Sequence, residues 1–556
     1  MLRKPAVYVG VVLWGLAVSG GAQAAQTLAA VTGAQAAQPP AALIDALAAQ
    51  PPAALTGAFA AQPPATLTDG QCETLVQADF SQVEDAPAKV ITARLVAGAG
   101  DLPGYCEVIG YAWRAVQFRV RMPVIGWNGK LAVFGTGGQA GDFMPDDPKS
   151  PVSWSGSALR QGFATAAHNG GHLSSSTDAQ WAYQNESALL DYGFRAPHVA
   201  GLAARAVVLR TYGQAARHVY FSGCSNGGRE ALQMAQRYPY DYDGIIAGAP
   251  SMRWSDLFPN LYWFANRMYG SNAVLDVSAL QLLHRYVLDR CDRIDGKLDG
   301  ILDDPRKCQI DLGPITCKAG ASPPGAVPPG APPGAPPGVP RPGAPAARVN
   351  TTATSCLTPA QARAAREIYD GPHDGSGRPV AHSSAMPGSE LVWSTFADIA
   401  SYPASVFRYQ SFMPAAGATF VPDESQLAEY VRRSGGSDAI LSATNPDLRR
   451  FRDNGGKLLS YMGWNDAIGD VRETIDYYST VERVIGGREA TQEFYRLFMV
   501  PGMNHCSGGD GASQIDWLAA RDGWVDQRKA PDAITGYHPD AAGKPAFVRT
   551  VAPLVH

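Results

Sequence analysis

Charge is scarce in this chain. Of its 556 residues only 17% are Asp, Glu, Lys or Arg, and 46 basic residues against 50 acidic ones leave a formal charge of −4. That balance argues against a nucleic-acid partner, whose phosphates call for a stripe of clustered Lys and Arg. Long hydrophobic runs are missing too. The apolar stretch from Ala6 to Val18 is too short to span a bilayer comfortably, and no later segment is long enough, so no membrane span is expected. A dinucleotide loop is also lacking. The glycines of Phe134-Gly135-Thr136-Gly137-Gly138-Gln139-Ala140-Gly141 make no clean G-x-G-x-x-G opening a helix, and no acidic residue is placed to hold a ribose.

The first residues carry instructions for export. Arg3 and Lys4 precede the short apolar stretch, and Ala22-Gln23-Ala24 follows it as an A-x-A-like cleavage site, which reads as a signal peptide over residues 1–24. The mature protein is therefore expected to be secreted or periplasmic. Eight cysteines, an even number, agree with an oxidising compartment. A repeat of about 12 residues then places Gln-Pro-Pro at 38–40, 50–52 and 62–64 in Ala-rich surroundings. With so little apolar variety it cannot pack a core, and residues 25–70 read as a flexible spacer. A second biased tract, Ser322 to Pro345, lacks the strict glycine period of collagen over a useful length. It reads as a disordered insert over residues 319–348.

Gly223-Cys224-Ser225-Asn226-Gly227 directly follows the apolar run Val219-Tyr220-Phe221 and precedes the helix-forming Arg229 to Ala235. A G-x-S-x-G between a strand and a helix reads as a nucleophile elbow, a sharp turn that holds the serine hydroxyl clear of the sheet. The glycines are needed because side chains there would strike the neighbouring strand or helix. Far downstream, a buried strand over Arg496 to Val500 leads through the Pro501-Gly502 turn to His505. Between them the strand-like Gly456 to Gly463 ends just before Asp466. The order Ser225, Asp466, His505 is that of an α/β-hydrolase triad, with Ser225 as nucleophile, His505 as general base and then acid, and Asp466 as its orienting partner. The alternative is a loop histidine with an ordinary structural cysteine beside it. Should Cys224 and Cys506 be bridged, the bond would tie base to nucleophile through their sequence neighbours. It would close a loop of about 280 residues, for which chain entropy suggests on the order of 5 kcal/mol.

Taken together, Cys224-Ser225-x-Gly227-Gly228-Arg229, Gly463-Trp464-x-Asp466 and Pro501-Gly502-Met503-x-His505-Cys506 resemble the tannase and feruloyl esterase family, which includes bacterial mono(2-hydroxyethyl) terephthalate hydrolases. The resemblance runs from about Cys72 to the C-terminus. It implies an α/β-hydrolase core, a large lid domain, the same triad with an adjacent disulfide, and small esters of aromatic acids as substrates. Connectivity of the other cysteines is not given by sequence. Proximity suggests Cys72–Cys106, Cys291–Cys308 and Cys317–Cys356, and the resemblance supports the first two.

Strand-like runs at Lys130–Phe134, Phe163–Ala167 and Gly244–Gly248, with helical stretches such as His198 to Tyr212, signal an α/β class with a mostly parallel sheet covered on both faces. The pattern stops near Pro250 and resumes at Gly456. The catalytic domain is accordingly expected over 71–252 and 456–556, and a lid over 253–455 whose Trp254, Tyr262, Trp263 and Trp393 suit flat rings or plain core. The backbone N–H of Asn226 should be one oxyanion donor and that of Gly138 the other, with Gly137 nearly as good. His172, where the family has a Gly-His pair, is expected to pack or orient rather than catalyse. Asp292 to Asp303 crowds four carboxylates and two glycines into one loop, a composition suited to a hard cation or to a solvated turn. The resemblance implies a structural Ca2+ there, held by Asp292, Asp295 and Asp299 through carboxylates and by Lys297 and Ile301 through carbonyls. Gly469 reads as open space beside the triad acid. A serine peptidase on the same fold, or a calcium-stabilised binding protein on a dead hydrolase scaffold, are the competing readings. Oligomeric state is open.

Overall fold

Strands at the centre of the molecule show why the chain folds in layers. In a computed structural model describing residues 67–143, 154–270, 273–318, 355–395 and 401–555, every residue of β4 (Lys130–Phe134) is buried. Its side chains go to opposite faces by turns: Leu131 and Val133 join one core cluster, Ala132 and Phe134 another. The same division separates Val219 and Phe221 from Tyr220 on β6 (His218–Cys224), Ile245 from Ile246 on β7 (Gly244–Gly248), and Leu458 from Leu459 on β8 (Lys457–Gly463). Strands apolar on both sides must be covered on both sides, which is the condition for a parallel sheet.

The sheet has nine strands in the order β1-β2-β3-β5-β4-β6-β7-β8-β9, where β1 is Ala88–Val96, β2 Tyr105–Ala112, β3 Val116–Pro123, β5 Ala164–His168 and β9 Tyr495–Val500. From β5 to β9 neighbours run parallel, whereas β1, β2, β3 and β5 pair antiparallel. That antiparallel edge was not read in the sequence. A β10–β11 hairpin, Ile534–Pro539 with Pro545–Val551, stands apart from the sheet.

Helix α1 (Ala196–Tyr212) starts with Pro197 in its first turn and ends on left-handed Gly213, while α2 (Asn226–Arg237) follows β6 without a loop. The connection from β7 to β8 carries α3 (Trp254–Tyr269), α4 (Val277–Cys291) and α5 (Pro359–Asp370). Their apolar faces gather around Phe264, Leu283 and Trp393 in a separate core, which also takes in Ala140 and Tyr192 from the segments after β4 and β5. After β8 come α6 (Val471–Ile485) and, past β9, α7 (Trp517–Asp526).

Leu67 is buried and Thr68 caps a helix over Asp69–Glu73, so residues 67–70, read as the end of the spacer, belong to the folded chain. The capping box with Gln71 is the local cause. The leader, the rest of the spacer and the insert at 319–348 lie outside the described residues. No described helix is long and apolar enough to cross a membrane.

Candidate active site

Ser225 is the single residue between β6 and α2, and it turns the chain with φ 63° and ψ −121°, a region that side-chain-bearing residues rarely occupy. Its surroundings hold it there. The N–H of Ser225 donates to Gly248 O at 3.0 Å, and its carbonyl accepts from Ser251 N at 3.2 Å. A Cβ on Gly223 would stand 2.3 Å from Gly227 O, and one on Gly227 would stand 2.8 Å from Thr136 O. Both flanking glycines are thus required by close approach, as the motif anticipates. Ser225 itself stays partly exposed.

Asp466 and His505 follow β8 and β9, so both belong to the carboxyl edge of the same parallel sheet, where α/β folds bind their ligands. His505 Nδ1 lies 2.7 Å from Asp466 Oδ2. Asp466 is wholly buried, and its Oδ1 accepts the N–H groups of Ile468 at 3.0 Å and Gly469 at 2.6 Å. Burial alone would lower the pKa of His505. The charge and hydrogen bond of Asp466 outweigh it, and the imidazole titrates above its ordinary 6.5. Gly469 does not face open space: a Cβ there would stand 2.6 Å from Asp466 Oδ2. Gly463 is needed too, because a Cβ would meet Met503 O at 2.1 Å where the histidine loop crosses the end of β8.

Cys224 is joined to Cys506, with Cα atoms 5.8 Å apart. The residues next to each, Ser225 and His505, are thereby brought to one place. The remaining cysteines form Cys72–Cys106, Cys291–Cys308 and Cys317–Cys356, the pairs that nearness along the chain suggests.

Beside the elbow lies the glycine loop after β4. Gly138 has φ +51°, and a Cβ there would meet Ser176 O at 2.2 Å. Its carbonyl accepts the Tyr192 hydroxyl at 2.7 Å. Among the described residues no acceptor takes the backbone N–H of Gly137, Gly138 or Asn226. Asn226 opens α2, where the helix dipole adds to its pull on negative charge. His172 stacks on Trp181 at 3.6 Å, and its Nε2 lies 2.6 Å from Gln139 O. Burial pushes its pKa down to about 4, so near neutrality the ring is uncharged. A carbonyl only accepts, so the proton sits on Nε2. His172 props the loop.

Sequence reasoning missed how much polar chemistry α2 hides. Arg229 and Glu230 are both fully buried. Arg229 donates to the carbonyls of Tyr192 (2.8 Å), Gly193 (2.6 Å) and Leu441 (2.9 Å), and so fastens the elbow helix to the β5–β6 and β7–β8 connections. A second unread cluster joins Asp256, His382, Asp470 and Glu473, whose ligand atoms lie within 4.8 Å of one another. Burial, then the charge of Asp256, keeps the Asp470 carboxyl well above the ordinary carboxylate range. Partners this distant leave no local signal in the chain.

In the acidic loop, Asp292 is buried and accepts the N–H of Gly300 at 3.1 Å on both oxygens. Asp295 accepts from Lys297 N at 2.9 Å. Asp299 accepts from Ile301 N at 3.2 Å and pairs with Arg549 at 2.6 Å. The donor chemistry suits a hard cation, but as folded these three carboxylates do not gather within 4.8 Å of one another.

A parallel sheet with a strained serine turn, and an Asp–His pair at the same edge, define an α/β-hydrolase. Residues 103–408 and 424–553 match the family model of tannase and feruloyl esterase, and the chain belongs to that family. It is a carboxylic ester hydrolase. It is 31% identical over 530 residues to an uncharacterized esterase of Xanthomonas campestris pv. campestris, covering 87% of this chain and 86% of the other. It is 29% identical over 550 residues to the mono(2-hydroxyethyl) terephthalate hydrolase of Piscinibacter sakaiensis, covering 86% of each. The fold matches the crystal structure of feruloyl esterase B from Aspergillus oryzae with TM-score 0.72 at 24% identity, over 87% of this chain and 95% of that one. Tannin acyl hydrolase from Aspergillus niger gives 0.69 at 20%, over 88% and 92%.

Proposed function

We propose that the protein is a secreted serine carboxylesterase that hydrolyses esters of aromatic acids through an acyl-enzyme. One observation carries this reading: His505 is paired with buried Asp466 at 2.7 Å and anchored through Cys506–Cys224 beside Ser225 on its elbow. The likeness to the terephthalate-monoester hydrolase supports an aromatic acyl group, and four disulfides support an oxidising destination.

In the reaction, Ser225 Oγ attacks the ester carbonyl carbon while His505 Nε2 takes its proton. The carbonyl oxygen becomes an oxyanion and accepts from the backbone N–H of Asn226 and of Gly138, or of its neighbour Gly137. Collapse of the tetrahedral intermediate breaks the bond to the leaving oxygen, which leaves as the alcohol with the proton from His505. Water then attacks the acyl-enzyme, giving its proton to His505, and the second collapse returns that proton to Ser225 and frees the acid. Asp466 holds the ring with Nδ1 protonated and stabilises the imidazolium at each step.

In this reading Asp292, Asp295 and Asp299, with the carbonyls of Lys297 and Ile301, would hold a structural Ca2+. Such an ion would neutralise the charge of the loop. The Cys291–Cys308 bridge braces the same loop.

The test is burst release of p-nitrophenol from an aryl ester by the wild type and its loss in Ser225→Ala. Steady release by Ser225→Ala at the wild-type rate would sink the assignment. Methyl gallate, methyl ferulate and the hydroxyethyl terephthalate monoester, compared by kcat/KM, rank the acyl groups, and peptide substrates run beside them test peptidase activity.

A further inference from the structure

The amides assigned to the oxyanion come from two segments, the loop after β4 and the first turn of α2, and one carboxylate lies where they meet. Glu230 is 0% exposed. Its Oε2 accepts the backbone N–H of Thr136 at 2.9 Å. Its Oε1 accepts the Thr136 hydroxyl at 2.7 Å and Asn226 Nδ2 at 3.1 Å. Asn226 Nδ2 also donates to Thr136 Oγ1 at 2.8 Å, and Asn226 Oδ1 accepts from Arg229 Nε at 2.8 Å. Loop and helix touch through their backbones at this point. A Cβ on Gly135 would come within 2.6 Å of Glu230 Oε2 and 2.9 Å of Gly227 Cα.

A carboxylate removed from water needs partners to stay ionised. Burial works to raise the pKa of Glu230, but His168, Arg229 and the Thr136 hydroxyl outweigh it, and the net displacement is downward. His168 Nδ1 lies 3.2 Å from Gly170 N, and its Nε2 faces Glu230 at 3.5 Å. Nothing in the reaction above uses Glu230 as acid, base or nucleophile.

We propose that Glu230 is the positioning residue of the oxyanion hole, holding the glycine loop and the Asn226 amide at the separation the oxyanion requires. This rests on the esterase reading of Ser225. An ionised carboxylate accepts from all three donors together. A glutamine in its place would turn N–H toward Thr136 or Asn226 and force the two segments apart. The loss would fall on the transition state, where the negative charge develops, and not on ground-state binding.

Glu230→Gln, assayed on a p-nitrophenyl aryl ester with its melting temperature followed in parallel, is expected to lower kcat about 100-fold with KM within about threefold. Affinity for an arylboronic acid, which mimics the tetrahedral adduct, falls with kcat, while affinity for benzoate stays. A folded Glu230→Gln with wild-type kcat, or with its defect in KM alone, overturns the proposal. Should that variant fail to fold, Thr136→Val keeps the backbone bond and removes the hydroxyl. A drop in kcat of about tenfold then supports the role and an unchanged kcat overturns it. Ser225→Ala separates the two levels of the argument. Activity surviving in it removes the site, whereas an inert Ser225→Ala beside a fully active Glu230→Gln removes only the role of Glu230.

Discussion

His505 is held between opposing influences. Burial favours the neutral ring and Asp466 the charged one, and Asp466 wins, so the pKa is raised. A raised pKa keeps the imidazolium to higher pH, and in the proposed reaction only the neutral ring can take the Ser225 proton. The expected kcat/KM profile therefore falls tenfold per pH unit below a midpoint lying above 6.5. Asp466→Asn removes the charge responsible. It is expected to move that midpoint down and to lower kcat by about 10⁴-fold, read from the pH–rate profiles of both proteins. A profile flat down to pH 5 would contradict the assignment of His505. Gly469 belongs to this scale as well: in sequence it reads as room for substrate, in the fold as room for the carboxylate that holds the histidine.

Among the elements, the acidic loop from Asp292 to Asp303 makes the plainest prediction. Arg549 on β11 already reaches Asp299 and Asp303, at 2.6 and 2.8 Å, which neutralises part of the loop's charge. In the proposed reading, Ca2+ held by Asp292, Asp295 and Asp299 would stabilise the folded state by mass action. Differential scanning calorimetry is expected to show a lower Tm in EDTA than in millimolar Ca2+, and Asp292→Asn is expected to abolish the difference. Elements also show what a chain does and does not disclose. β4, β7 and β9 were legible because each contains a short apolar run, and α2 because a G-x-S-x-G led into it. β1 was not, because its pattern of exposure is irregular and it carries a bulge between Val90 and Thr92. The inward role of Arg229 and Glu230 was equally hidden. Polar residues in a helix read as its wet face, and Thr136 and Leu441, which bury them, lie 94 residues from Glu230 and 212 from Arg229.

Across the whole molecule, the Cys224–Cys506 bond spans 282 residues and links the strands on either side of β7 and β8. Replacing both cysteines by serine is expected to cost up to about 5 kcal/mol on the chain-entropy estimate, measured as a lower urea midpoint. Activity is expected to fall further than the stability loss explains, because hydroxyl and imidazole lose their shared anchor. Wild-type kcat in the double variant would show that the sheet alone aligns them. The order Ser225, Asp466, His505 could be read at this scale, since chain order survives any arrangement of the β7–β8 connection. The packing of that connection could not, because its core is assembled from helices and loops that follow no single period.

That bond also divides the protein into what can drift and what cannot. Everything from 225 to 505, including the helices between β7 and β8, hangs from it as a closed ring whose clasp is the disulfide beside Ser225 and His505. Closing a ring costs little more when the ring lengthens, growing only with the logarithm of its size. Residues can be gained or lost along the ring, and its grip on one alcohol or acid exchanged for another, while the clasp stays shut on the same chemistry.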